Sequence, residues 1–336
     1  MTQTTHKELL NILYSILLKN GFNENSAEVA SQIFCENTLV GVASHGVNRF
    51  NSFIELVKSG HIKPNSKPSK INSFSAFEQW DGNLGPGPNN AHYITEEAIR
   101  LSDEYGIGCI ALKNTNHWMR PGYYAWEAAN KGYVFICWTN TIPIMPPWGA
   151  KGQTLGNNPI VFGVPRKEGN IVLDMALSQY SYGKLATYAR NGIELPYIGG
   201  YDSNNNLTKN AKDIYDTHRP LPIGYWKGSG FALLLDLIST ILSGGKSTFE
   251  LGKSKVDSGM SQMFIAIAPS KFNSMDLINK SVNEILDYYL SAENMGNEKV
   301  SFPGERIVET RKENLKNGIL IDDKIWKKVQ KLKREK

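Results

Sequence analysis

The strongest constraint on this chain is a change of texture near residue 70. Residues 1–68 read as helical, a mixed pattern begins at about Ile71, and the last stretch is helical again. Over residues 7–18, Leu9, Leu10, Ile12, Leu13, Ile16 and Leu17 recur with the period of one helix face, and Gly21 stops it. Asn25 has N-cap chemistry for a second helix over 26–39. The run 41–46 breaks the pattern, and Phe50, Phe53, Ile54 and Val57 predict a third helix over 47–58, closed by Pro64 and Pro68. The middle alternates β-prone runs (108–112, 133–138, 160–164, 171–175, 263–267) with helical ones (90–105, 123–130, 229–242, 275–290). Residues 305–316 and 322–333 return to helix. Two helical ends around a mixed middle predict termini that pack together. The expected fold is α+β, with residues 1–70 plus 295–336 forming a helical domain and a mixed-sheet, NAD-binding domain (71–294) inserted between them.

Composition narrows the function classes. Of 336 residues, 41% are apolar and 21% charged, which suits an ordinary globular chain with a large core. The formal charge of +5 gathers partly in residues 327–336, where cations suit a helix C-terminus. No basic stripe spans the chain, so nucleic acid is not an expected partner. Cys35, Cys109 and Cys137 stand in apolar runs without a C-x-x-C pair, which points to free thiols and a reducing cytoplasm. Residues 1–8 lack a signal-peptide layout, and no apolar run approaches the ~20 residues that cross a bilayer, so no membrane is expected.

The usual dinucleotide fingerprint, G-x-G-x-x-G between a strand and a helix, is absent. Residues 82–87 order their glycines differently, and residues 224–230 follow no clear strand. A standard Rossmann domain is therefore disfavoured. Gly228, Ser229 and Gly230 have two readings: a helix N-terminus offering N–H groups to phosphate beside Lys227 and Trp226, or a turn capping a buried helix.

Three stretches carry possible chemistry. His45 and Arg49 stand four apart, so a helix starting near His45 would set both on one face. A 2-keto acid needs a cation for its carboxylate and an acid for its carbonyl oxygen; Arg offers a bidentate fork and His a suitable pKa. A capping histidine and a surface ion pair are the plain alternatives. His117, Trp118 and Arg120 form a second cluster after a strand, to orient substrate, wall a pocket and meet an anion, or merely to pack. The irregular runs 145–151 and 156–159 are functional or disordered, and Trp148 with its prolines favours order. A hydrolase using Ser44 with His45 is disfavoured because adjacent residues seldom reach each other and G-x-S-x-G is missing. No metal-ligand spacing is present.

Taken together, the segments 41–50, 114–120, 145–151, 156–159, 224–230 and 303–305 resemble the malate/L-lactate dehydrogenase family that lacks a Rossmann fold, in register from about Leu9 to Val329. The resemblance implies a homodimer that reduces 2,3-diketo-L-gulonate to 3-dehydro-L-gulonate with NADH, NADPH being the alternative. It implies His45 as proton donor; the reading of the residues adds Arg49 and His117 as catalytic partners and Ser44, Arg49 and Arg120 at the substrate. It implies cofactor contacts at Leu173, Asp174, Met175, Ala176, Leu177, Ser178 and Gln179, at Trp226 and Lys227, and at Gly304, Glu305 and Arg306. Arg306 stands where a carboxylate is expected and Asn157 where threonine is usual, and a change near the ribose bears on the choice of cofactor. Malate, lactate, sulfolactate, ureidoglycolate or cyclic imino acid chemistry stays open within the resemblance, as does a catalytically idle binding module.

Overall fold

The computed structural model describes residues 1–254, 256–296 and 298–335. Strand β1 (Thr2–Thr4) leads into helices α1 (His6–Lys19), α2 (Glu24–Leu39) and α3 (Val47–Lys58). The Thr5 hydroxyl accepts from the Glu8 N–H at the start of α1. Asn23, not Asn25, caps α2, its side-chain Oδ1 accepting from the Ser26 N–H. The apolar stripe of α1 buries Leu9, Leu13, Ile16 and Leu17 in one cluster with Phe34, Phe50 and Phe53. Phe34 meets Phe50 and Phe53 edge-on at 5.0 and 5.1 Å, a geometry that suits the ring quadrupoles. These rings fix the inner face of α3, so its polar side, from Arg49 onward, is presented outward.

The middle runs β2 (Ser69–Phe74), β3 (Phe77–Asp81), α4 (Gly87–Tyr105), β4 (Ile107–Asn116), α5 (Gly122–Asn130), β5 (Val134–Thr139), β6 (Ile160–Val164) and β7 (Ile171–Met175). It continues with α6 (Tyr182–Asn191), β8 (Gly200–Tyr201), β9 (Leu207–Thr208), α7 (Ala211–Thr217), α8 (Trp226–Ser243), α9 (Thr248–Ser254), β10 (Ser258–Ile267) and α10 (Met275–Leu290). The chain ends with α11 (Glu305–Asn317), β11 (Ile319–Ile321) and α12 (Asp323–Arg334). Seven strands form one sheet in the order β2-β3-β4-β10-β5-β6-β7, in which only β3 and β4 run parallel. The absent fingerprint and this largely antiparallel topology agree: the fold is mixed α/β and is not the parallel, doubly wound sheet of a standard dinucleotide domain. Along β4, Ile110 and Leu112 join the cluster beneath α4 and α5, while Ala111 joins the opposite cluster beneath Ala232 and Leu235 of α8. That alternation is the period of two of a strand buried on both faces.

Strand β1 pairs antiparallel with β11, and Ile319, Ile321, Val329 and Leu332 pack into the cluster of the first three helices. The two ends of the chain are thereby joined, as the helical texture at both ends suggested. Four sequence readings shift. Helix α8 begins at Trp226 rather than Ser229, β4 runs on to Asn116, β10 starts at Ser258, and the strands β2 and β3 occupy a stretch with no strand signal.

Candidate active site

The site begins at a break between α2 and α3. Residues Ala43–His45 form a single 3-10 turn, and α3 starts only at Val47. His45 is therefore not on the helix that carries Arg49, and a shared helical face is not what relates them. The Thr38 hydroxyl accepts from the Val47 N–H at 2.9 Å, and the Asn37 amide donates to the His45 carbonyl at 3.1 Å. Gly46 is packed so tightly that a Cβ would lie 2.3 Å from Thr38 Oγ1. This close approach sets His45 at the mouth of the helix pair.

His117 follows β4. The Asn116 amide holds its loop by donating to the carbonyls of Gly85, Leu84 and His61 at 2.8, 3.0 and 3.3 Å. Gly87, at the start of α4, leaves room for the His117 backbone, whose oxygen would lie 2.3 Å from an added Cβ. The Met119 N–H donates to His117 Nδ1 at 3.0 Å, so the neutral ring carries its proton on Nε2. Met119 itself has φ of 67°, a left-handed conformation costly for a non-glycine residue and concentrated at functional sites. The rings of His45 and His117 stack with centroids 5.8 Å apart and 17° between planes.

The electrostatics follow from burial and two guanidinium groups. Burial, Arg49 and Arg120 bring the His45 pKa down to about 4. Burial, Arg49 and His45 hold His117 well below the ordinary imidazole range. Both rings are neutral at pH 7. Ser44 Oγ lies 3.2 Å from His45 Nδ1, so these adjacent residues do reach each other, against expectation. That contact orients the ring and leaves Nε2 for chemistry.

Arg49 and His117 line an open cavity of about 430 Å³ together with Ser52, Glu55 and Asp257. Arg49 Nη2 donates to Asp257 Oδ2 at 2.8 Å. Asp257 lies 208 residues away in sequence and has no local signal, whereas Ser52 and Glu55 follow Arg49 at helical spacing and were within reach of a periodicity argument.

A second cleft, about 590 Å³, lies among α2, α5 and α11 and is lined by Arg120, Tyr123, Trp126, Ile307 and Arg311 among others. Arg120, expected at the substrate, lines this cleft and is also close enough to act on the His45 ring. It is only 6% exposed, and its Nε lies 3.6 Å from Asp174 Oδ2. Asp174 also accepts from the Gly122 N–H at 2.9 Å. Burial raises the Asp174 pKa, while Arg120 and that N–H oppose the rise. Gly304, φ 100°, lies against the wall of this cleft, where an added Cβ would stand 3.2 Å from the Val172 nitrogen and 3.3 Å from Trp126. Asp174 and Gly304, one residue from each of two expected cofactor segments, thus border this cleft. Trp126 Nε1 and Asn37 Oδ1 are buried and have no partner among the described residues, the state of groups that a polar ligand would satisfy.

Not every expected contact fits. Leu177 is fully buried beneath α8, and its backbone N–H and carbonyl bond Asn157 and Ile223, so it packs. Gly228 lies inside α8, where a Cβ would sit 2.1 Å from the Ile223 carbonyl, and the Ser229 N–H is already bonded to Tyr225. The Lys227 N–H is likewise bonded to the Gly224 carbonyl, so the first turn of this helix has few donors to offer a phosphate. Trp226 is 67% exposed beside Lys227, directly after Tyr225 at φ 59°. Among the described residues, neither Trp226 nor Lys227 makes a hydrogen bond or ion pair to His45 or His117. The only group of close potential metal ligands among the described residues is His92, Glu96 and Glu127, and there His92 pairs with Glu127 and Lys131 with Glu96.

Comparison with known proteins matches residues 4–330 to a family model described as malate/L-lactate dehydrogenase. The 2,3-diketo-L-gulonate reductase of Escherichia coli O6:K15:H31 is 42% identical over 332 residues, covering 98% of this chain and 100% of that protein. Among solved structures, a malate dehydrogenase from Entamoeba histolytica superposes with a TM-score of 0.92 at 25% identity, covering 98% of this chain and 97% of that one. A sulfolactate dehydrogenase from Methanocaldococcus jannaschii gives 0.89 at 27% identity, over 98% and 96%.

Proposed function

The chain belongs to the malate/L-lactate dehydrogenase family of oxidoreductases, and from that premise we propose that it reduces 2,3-diketo-L-gulonate to 3-dehydro-L-gulonate with NADH. The observation that carries the reading is that Arg49 and His117 line one open cavity while the His45 ring stacks against His117. The second cleft supports the cofactor: Arg120 offers a buried cation to phosphate, Gly304 offers close backbone approach, and Trp126 Nε1 is an unused donor. Trp226 and Lys227 add a ring and a cation at the start of α8. When bound, the nicotinamide supplies the hydride.

The residues of the chain do the rest. Arg49 grips the C1 carboxylate; only one of its donors is taken by Asp257, which leaves the fork available. His117 donates from Nε2 and steers the neighbouring oxygen. His45 gives its proton to the C2 oxygen. That proton must first arrive, because a ring of pKa about 4 is neutral at pH 7. A bound carboxylate supplies the condition: a negative charge ~6 Å away in an effective dielectric of ~20 favours the imidazolium by roughly 3 kcal/mol, about 2 pKa units. Substrate binding is thereby coupled to proton uptake, and kcat/KM for reduction falls as pH rises.

A homodimer is part of this reading. On α8, Leu234, Leu237, Ile238 and Ile241 are all exposed at one-face spacing, and Phe249 of α9 is exposed nearby. A second copy of the chain is the natural cover for such a face. The free thiols suit a reducing cytoplasm. The test is oxidation of NADH and NADPH, followed by absorbance, with 2,3-diketo-L-gulonate, pyruvate and oxaloacetate. Turnover with the sugar acid and NADH is expected to dominate. No oxidation with any of the three would end the reading.

A further inference from the structure

The cavity beside Arg49 carries information about the far end of the substrate. Its wall is the outer side of α3, where Arg49, Ser52 and Glu55 succeed one another at intervals of three residues. A helix rises ~1.5 Å per residue, so Ser52 stands about 4.5 Å and Glu55 about 9 Å along the axis from Arg49. An extended six-carbon chain spans roughly 6 Å from C1 to C6, at about 1.2 Å per bond. A carboxylate on Arg49 therefore leaves the hydroxyls of C4 to C6 between Ser52 and Glu55. Both side chains have capacity left. Ser52 Oγ donates to the Arg49 carbonyl at 2.9 Å and keeps its lone pairs. Glu55 Oε1 accepts from the Asn51 amide at 2.7 Å, and Oε2 makes no hydrogen bond among the described residues.

The charge balance sharpens this. Among the described residues that line the cavity, Arg49 is the one Lys or Arg, and it faces two carboxylates, Glu55 and Asp257. His117 adds no charge, since its ring is neutral. A substrate with one anionic group finds its cation at Arg49. A second anionic group, placed three or four carbons on, meets Glu55 with nothing to neutralise it.

We propose that Ser52 and Glu55 select a monoanionic, polyhydroxylated keto acid, Ser52 and Glu55 binding its tail hydroxyls and Glu55 repelling dianions such as oxaloacetate. This rests on the reading above that the Arg49 end of the cavity holds the C1 carboxylate. It separates this chain from relatives named for malate or sulfolactate, whose ligands carry two acidic groups.

The test compares wild type with Glu55→Gln and Ser52→Ala on three keto acids at pH 7 with NADH: 2,3-diketo-L-gulonate, pyruvate and oxaloacetate. For Glu55→Gln, KM for the sugar acid is expected to rise about tenfold, the scale of one charge-assisted hydrogen bond. KM for oxaloacetate is expected to fall about tenfold, by an amount that shrinks with added salt, while pyruvate changes by less than about twofold. Ser52→Ala should raise KM for the sugar acid alone. Parallel changes with all three substrates, or an unchanged ratio of sugar acid to oxaloacetate, would overturn the proposal. Calorimetric binding of L-gulonate and L-malate to the same proteins separates this from a failure of the catalytic reading. If wild type prefers L-gulonate and Glu55→Gln loses that preference, charge selection stands even where turnover is nil. If wild type binds the two equally, it falls.

Discussion

Replacing Arg49 by glutamine tests two consequences of one charge. The guanidinium is hydrogen-bonded to Asp257 at 2.8 Å and is a cause of the lowered pKa of both His45 and His117. A hydrogen bond to a charged group contributes about 1.5–3 kcal/mol, roughly 10- to 150-fold in affinity. The Arg49 side chain is 36% exposed, so solvent screening places the loss in the lower part of that range. The orphaned Asp257 carboxylate then faces the substrate carboxylate and adds to the deficit. Taken together, KM for the keto acid should rise about 30-fold while KM for NADH changes less than about twofold. The second consequence has the opposite sense. With a positive neighbour gone, His45 holds a proton more readily in the free enzyme, and its pKa moves up from about 4 toward the ordinary value. The descending limb of log kcat/KM should move to higher pH than in wild type. The assay is steady-state NADH oxidation from pH 5 to 9. An unchanged KM, or parallel loss for keto acid and NADH, would refute the reasoning. Arg49→Lys should recover part of the affinity, because it restores the charge but not the fork.

Three further outcomes follow from the geometry. Gly122→Ala would place a Cβ 2.6 Å from Asp174 Oδ2 and push the carboxylate off Arg120; stability should fall by about 1–3 kcal/mol and NADH should bind more weakly, as thermal melts and fluorescence titration would read. The pKa of His92 is raised by its Glu127 partner against the opposing effect of burial. The stability from that pair is fully present below the unfolded value and is lost as pH rises through the folded one. The Tm gap between wild type and His92→Gln should therefore be largest below the ordinary imidazole value of about 6.5 and shrink as pH rises above it; a constant gap would mean that no proton is linked. Ile241→Glu, at a position 72% exposed on α8, should convert a dimer to monomers in light scattering, and a monomeric wild type would contradict the assembly.

What could be read from the chain divides along physical lines. Long periodic segments were legible: α3, β6, β7 and α10 fall at residues 47–58, 160–164, 171–175 and 275–290, as the patterns predict. The edge strand β2 escaped because its six residues are all exposed, so no alternation of apolar and polar side chains marks it. Strands β1 and β11 are three residues each and exist only through each other. At the site, His45, Arg49 and His117 announced themselves by type and motif. Their relation did not follow from helical spacing, because His45 closes a 3-10 turn that Gly46 separates from α3. Asp257 and the Arg120–Asp174 pair are products of tertiary folding alone, joined across 208 and 54 residues of chain respectively.

His45 hands a proton to the reacting ketone in this mechanism, and His45→Ala, assayed for turnover and cofactor binding in parallel, tests that step. The kcat for keto-acid reduction is expected to fall by roughly 10²- to 10⁴-fold, the usual contribution of a positioned acid, while the NADH dissociation constant moves by less than about threefold. A loss shared equally by turnover and NADH binding, or a kcat within about tenfold of wild type, would contradict it.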